Sequence, residues 1–72
     1  MFSVLDLRSI ASSGGSITLD AVGFSTLDLR SIASSGQGSK AQLVLKNAKR
    51  LSVLDLRSIA SSSPGNVHFE LV

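Results

Sequence analysis

Leu5-Asp6-Leu7-Arg8-Ser9-Ile10-Ala11-Ser12-Ser13 recurs without change from Leu27 to Ser35 and again from Leu54 to Ser62. Three identical nonapeptides in 72 residues make internal repetition the first fact of this chain. The residues before each copy also correspond: Phe2-Ser3-Val4, Phe24-Ser25-Thr26 and Leu51-Ser52-Val53. After each copy comes a glycine-containing turn and an alternating segment: Ile17-Thr18-Leu19-Asp20, Leu43-Val44-Leu45-Lys46 and Val67-His68-Phe69-Glu70. The chain therefore divides into units 2–23, 24–50 and 51–72 of a single repeat domain, 1–72.

The alternating segments switch apolar and polar residues with period two between Gly, Ser and Pro, which predicts strands. The nonapeptide admits two readings, because Leu5, Leu7 and Ser9 also alternate. A strand there would give an all-β solenoid. Helix-start chemistry favours the other reading. With Ser52 as N-cap, Asp55 occupies the third helical position, where hydroxyl and carboxylate cap each other's backbone amides. Leu51 and Leu56 stand where a hydrophobic staple forms, and Ser3-Asp6 with Phe2-Leu7 and Ser25-Asp28 with Phe24-Leu29 repeat the arrangement. Val53, Leu56, Ile59 and Ala60 then share one helical stripe. Gly14 and Gly36 fall where a left-handed C-cap needs glycine, and Pro64-Gly65 halts the third copy. The expected fold is α/β: three helix-strand repeats with right-handed crossovers and parallel strands.

From Leu43 the pattern Leu43-x-Leu45-x-x-Ala48-x-x-Leu51-Ser52-x-x-x-Leu56-x-x-Ile59-Ala60-x-x-x-Pro64 resembles a leucine-rich repeat. It is most similar to the variant with a small residue where others carry Asn and with Ser or Thr opening the helix. Unit lengths of about 22 to 27 residues fit that family's range. The resemblance implies a small parallel-sheet solenoid whose exposed strand face binds another protein. The corresponding positions are Thr18, Asp20, Val44, Lys46, His68 and Glu70. Ala48 stands at the ladder position, so no asparagine ladder forms. The short alternating repeats also resemble, more weakly, β-solenoid polymers of the bactofilin kind.

A chain this short hides only about 60% of the surface that its unfolded form exposes. Small scaffolds offset this with disulfides, a metal or oligomerisation. There is no cysteine and His68 is the single histidine, which points to association. A repeat stack normally ends in polar caps. Here the first helix carries Phe2, Val4, Leu7 and Ile10 with no strand before it, and the last strand runs through Val67 and Phe69 to Leu71 and Val72. Val72-Met1-Phe2-Ser3 across a junction of two copies parallels Val22-Gly23-Phe24-Ser25 within one. The expected function is head-to-tail self-association, as a ring or filament, with a protein-binding module as the alternative and an antiparallel dimer as the structural competitor. Repulsion between Glu70 and the next copy's Asp20 opposes the junction by about 0.2–1 kcal/mol. Burying each large apolar side chain favours it by about 1.5–3 kcal/mol.

No enzyme is expected. A catalytic serine needs a base and an orienting group, and one histidine in one repeat does not supply them. The serines read as caps and turn residues, Asp6, Asp28 and Asp55 as helix-start carboxylates, and Arg8, Arg30 and Arg57 as a solvated outer face. No cofactor or metal is expected, since nothing accompanies His68 as a ligand. The turns before the strands are not phosphate loops, whose glycines open a helix. Lys40, Lys46, Lys49 and Arg50 cluster without an aromatic residue for base stacking, and the net charge is only +2, so nucleic acid ranks below protein as a partner. No segment approaches the roughly 18 apolar residues of a span, and Met1 to Asp6 lacks the basic and apolar regions of a signal. No membrane partner and a cytoplasmic setting are the resulting expectations.

Overall fold

The computed structural model describes residues 2–72; Met1, one residue of the expected junction, lies outside them. Helices α1 (Val4–Ser12), α2 (Thr26–Ser35) and α3 (Val53–Ser62) alternate with strands β1 (Ile17–Asp20), β2 (Leu43–Lys46) and β3 (Val67–Phe69). The nonapeptide is helical in all three copies, which rules out the all-β alternative.

Each helix begins as its serine dictates. Ser3, Ser25 and Ser52 are N-caps, and their hydroxyls accept from the amides of Asp6, Asp28 and Asp55 at 3.1 Å. The reciprocal bond that completes a capping box joins the Ser3 amide to Asp6 Oδ2 at 3.2 Å. Gly14 follows the end of α1 with φ of 97°, the left-handed conformation expected of it. Gly36 departs from expectation: its φ is −88°, and Lys40 takes the left-handed position in that longer turn. Glycine is needed at position 36 for space. A β-carbon there would stand 3.2 Å from that of Ala41 and 3.4 Å from that of Ala11.

The strands form one parallel sheet in the order β1-β2-β3, with Ile17, Leu43 and Val67 in register, then Thr18, Val44 and His68, then Leu19, Leu45 and Phe69. The helices follow the same order, α1 against α2 and α2 against α3. Between strand and next helix lie two short 3₁₀ turns, Ala21–Gly23 and Ala48–Arg50, for which the sequence reading made no provision. Ala21 and Ala48 are wholly buried there. Asp20 Oδ1 accepts from the Val22 amide at 2.8 Å and opens the first turn; Asn47, with φ of 58°, opens the second.

The core lies between the two layers and centres on Leu29, Ile32, Leu43, Leu45, Ala48 and Ile59. Its residues recur at nonapeptide positions three, six and seven, the apolar stripe of an amphipathic helix.

Candidate association surfaces

Identical residues in the three helices act as three probes of their surroundings. Ile32 and Ile59 are 1% and 0% exposed, but Ile10 is 39% exposed. Ala11 and Ala33 are buried, whereas Ala60 is half-buried. Ala11 lines the same small internal cavity as Ile32, and Arg8 Nε donates to Ser35 Oγ at 3.1 Å. The Val4-Arg8-Ala11 flank of a helix therefore faces the following unit, and the isoleucine flank faces the preceding one. Among the described residues no unit precedes that of Ile10 and none follows that of Ala60.

This logic corrects the expected head face. Leu7 is 4% exposed and belongs to the core, and Val4 packs against that core on the α2 side. Neither is bare. Phe2, 65% exposed, and Ile10 are. Phe2, Leu7, Leu19, Gly23 and Phe24 line an apolar hollow of about 320 Å³. Leu19 and Phe24 escaped the sequence reading because they belong to the next strand and the next unit.

The tail face is corrected in the other direction. Val67 and Phe69 are half-buried, Leu71 is 51% exposed and Val72 is fully exposed. Val53, assigned from its spacing to the packed stripe of α3, is instead 70% exposed. It occupies the flank that Val4 uses against α2, and α3 has no following helix among the described residues to cover it. Side-chain size differs as well. Phe69 stands in register with Leu19 and Leu45, and Leu71 follows at the place that Ala21 takes in the first unit.

The sheet edges match in hydrogen-bonding phase. The Ile17 amide donates to Gln42 O and the Leu43 amide to Asn66 O, at 2.9 and 2.8 Å, while the Glu70 amide donates to Leu45 O at 2.9 Å. Backbone groups alternate sides along a strand. Thr18 and Asp20 consequently direct theirs outward from β1, and Val67 and Phe69 direct theirs outward from β3.

The strand-face positions fall in two rows across the sheet. Thr18, Val44 and His68 share one, and Asp20 lies opposite Lys46 in the other. Val44 and Glu70 are half-buried; the other four are exposed. Asp20 Oδ2 accepts from Asn47 Nδ2 at 2.9 Å, so both its oxygens serve local backbone and side-chain order. Arg50 Nη2 donates to Ala21 O at 3.3 Å and ties the two 3₁₀ turns together.

No group of three or more metal-ligating side chains occurs among the described residues. No helix among them is long and apolar enough to cross a membrane. The comparisons with protein families, curated proteins and solved structures return no match to this chain. Its function has to be argued from its own surfaces.

Proposed function

We propose that this chain is a self-associating repeat subunit that adds head to tail, as a short leucine-rich-repeat-like solenoid continued from one copy into the next. The observation that carries this reading is the graded exposure of identical residues. Ile10 is partly bare where Ile32 and Ile59 are covered, and Val53 is bare where Val4 is packed. A preceding copy supplies the missing neighbour to Ile10, and a following copy supplies it to Val53.

Three further features support the same joint. The tail carries Phe69 and Leu71 at places where the first unit has Leu19 and Ala21, so larger knobs meet the hollow lined by Phe2, Leu7, Leu19 and Phe24. In the register of the existing sheet, Val67 and Phe69 of one copy pair with Ile17 and Leu19 of the next, and the outward backbone groups complement each other. Finally, Arg57 is the equivalent of Arg8, and Ser13 of Ser35. The hydroxyls of Ser13 and Ser35 each donate to the carbonyl four residues earlier, at 3.0 and 2.9 Å, so both are set to accept. The joint places Arg57 of one copy beside Ser13 of the next, as Arg8 stands beside Ser35. Glu70 still approaches the next Asp20, but the Val22 amide and the Asn47 amide group already solvate that carboxylate.

Such a contact closes into a ring or extends as a filament according to the rotation per subunit. Light scattering and sedimentation across concentration test it: the wild type grows in mass beyond a dimer as concentration rises, and Phe2→Glu and Phe69→Glu do not. A wild-type chain that stays monomeric at every concentration removes the reading.

A further inference from the structure

The outer face of the helical layer is a second feature, separate from the two ends. Leu5, Leu27 and Leu54 are 71%, 69% and 73% exposed. These are large apolar side chains at one position of three neighbouring helices, and all three are exposed to nearly the same degree. On each helix Ser9 or its equivalent, and Ser12 or its equivalent, lie on the same outward side. Their short side chains leave the leucines as the highest points of the face.

The charges beside this row are ordered. At 3.6 residues per turn, Arg8 lies about 60° to one side of Leu5 and Asp6 about 100° to the other. The Arg8–Ser35 hydrogen bond fixes the arginine on the flank that faces the following helix. Identity of the nonapeptides gives Arg30 with Asp28, and Arg57 with Asp55, the same sides. The helical layer thus carries three arginines and three aspartates. The net +2 comes from Lys40, Lys46, Lys49 and Arg50 against Asp20 and Glu70 elsewhere. A layer without net charge gives no electrostatic preference for an anionic lipid surface or a nucleic acid.

We infer that this face pairs with the same face of a second copy, about a two-fold axis parallel to the helices. That operation lays leucine row on leucine row. It also exchanges the flanks, so that every arginine opposes an aspartate. A two-fold axis across the helices brings arginine flank over arginine flank and gains no opposite-charge pairing. The chosen axis places α2 on α2 and α1 on α3 of the partner copy. It runs the two stacks in opposite directions.

The area sets the strength of the pairing. The molecule extends 28 × 26 × 19 Å, so no flat face much exceeds roughly 700 Å², slightly below the roughly 800 Å² per partner of a standard interface. A single pair of subunits is therefore a weak, reversible dimer. Two head-to-tail rows joined along this face gain avidity with every added subunit.

The test uses Phe2→Glu, which alters an exposed side chain at the head and leaves the helical face intact. It is valid whether or not the ends associate. Sedimentation equilibrium of this variant shows a reversible dimer. Adding Leu5→Ser, Leu27→Ser and Leu54→Ser weakens the dimer by at least about 100-fold, with unchanged circular dichroism, since six leucines in the pair lose the part of their burial that the contact provides. Arg8→Asp, Arg30→Asp and Arg57→Asp together also give monomer. Under mild oxidation Leu27→Cys cross-links to itself, and Leu5→Cys cross-links to Leu54→Cys. A monomer at all concentrations overturns the inference, as does a dimer indifferent to the leucines. Co-sedimentation of the variant with phosphatidylserine vesicles through the same leucines, in place of dimerisation, assigns the face to lipid and overturns it too.

Discussion

The middle unit and its two neighbours share one helical sequence, yet only the middle one is closed. In α2 the buried stripe is complete, with Leu29, Ile32 and Ala33 all covered, and β2 buries both Leu43 and Leu45. In the first unit Ile10 is partly bare and β1 is half-covered; in the last, Val53 is bare and β3 is half-covered. Within the nonapeptide the sequence is constant, so the contrast between Ile10 and Ile32 isolates the contribution of neighbours. A repeat of this kind finishes its core only when it has one on each side.

The largest expected break in the comparison is at isoleucine. Ile32→Ala removes a fully enclosed side chain and costs about 2–5 kcal/mol of stability, measured by urea unfolding. Ile10→Ala in the Phe2→Glu background, which does not add head to tail, costs well under half of that, because water already reaches the side chain. Equal costs at the two positions would erase the distinction between middle and end.

Helix capping gives a smaller effect. Ser25→Ala leaves the Asp28 amide without its 3.1 Å partner and destabilises by about 1 kcal/mol. Ser3→Ala removes the same kind of hydroxyl acceptor, while the backbone amide at position 3 keeps its bond to Asp6. Its effect on global unfolding is nevertheless the smaller of the two, since α1 lies at the less covered end and opens locally first. Amide exchange in α1 reports that local loss. The smallest change is Val53→Thr, within about 0.5 kcal/mol in the Phe2→Glu background, as expected for an exposed site. Val4→Thr, on the packed flank, costs more.

Much of this was legible in the sequence, for definite reasons. Ser-x-x-Asp before a nonapeptide with apolar residues at helical spacing located all three helices to within a residue, and period-two alternation located the strands. The 3₁₀ turns were not legible, because Ala21 and Ala48 are small core residues in segments without periodicity. Gly36 was misread because a glycine that ends a helix and a glycine that admits Ala11 and Ala41 look alike in sequence. Phe2, Ile10, Leu71 and Val72, which the sequence places at the two ends, are exposed in the fold, but identical nonapeptides cannot say which flank of a helix meets which neighbour. That ambiguity exchanged Val4 for Val53. It also left Leu5, Leu27 and Leu54 without a role, since their exposure becomes visible only when the helices are packed.

The head-to-tail account is tested most directly by amide hydrogen exchange at the two sheet edges as a function of protein concentration. The outward amides of Thr18, Val67 and Phe69 become protected as concentration rises, while Leu45 in the central strand is protected throughout. Fast exchange at Thr18, Val67 and Phe69 at every concentration, with Leu45 still protected, contradicts the account.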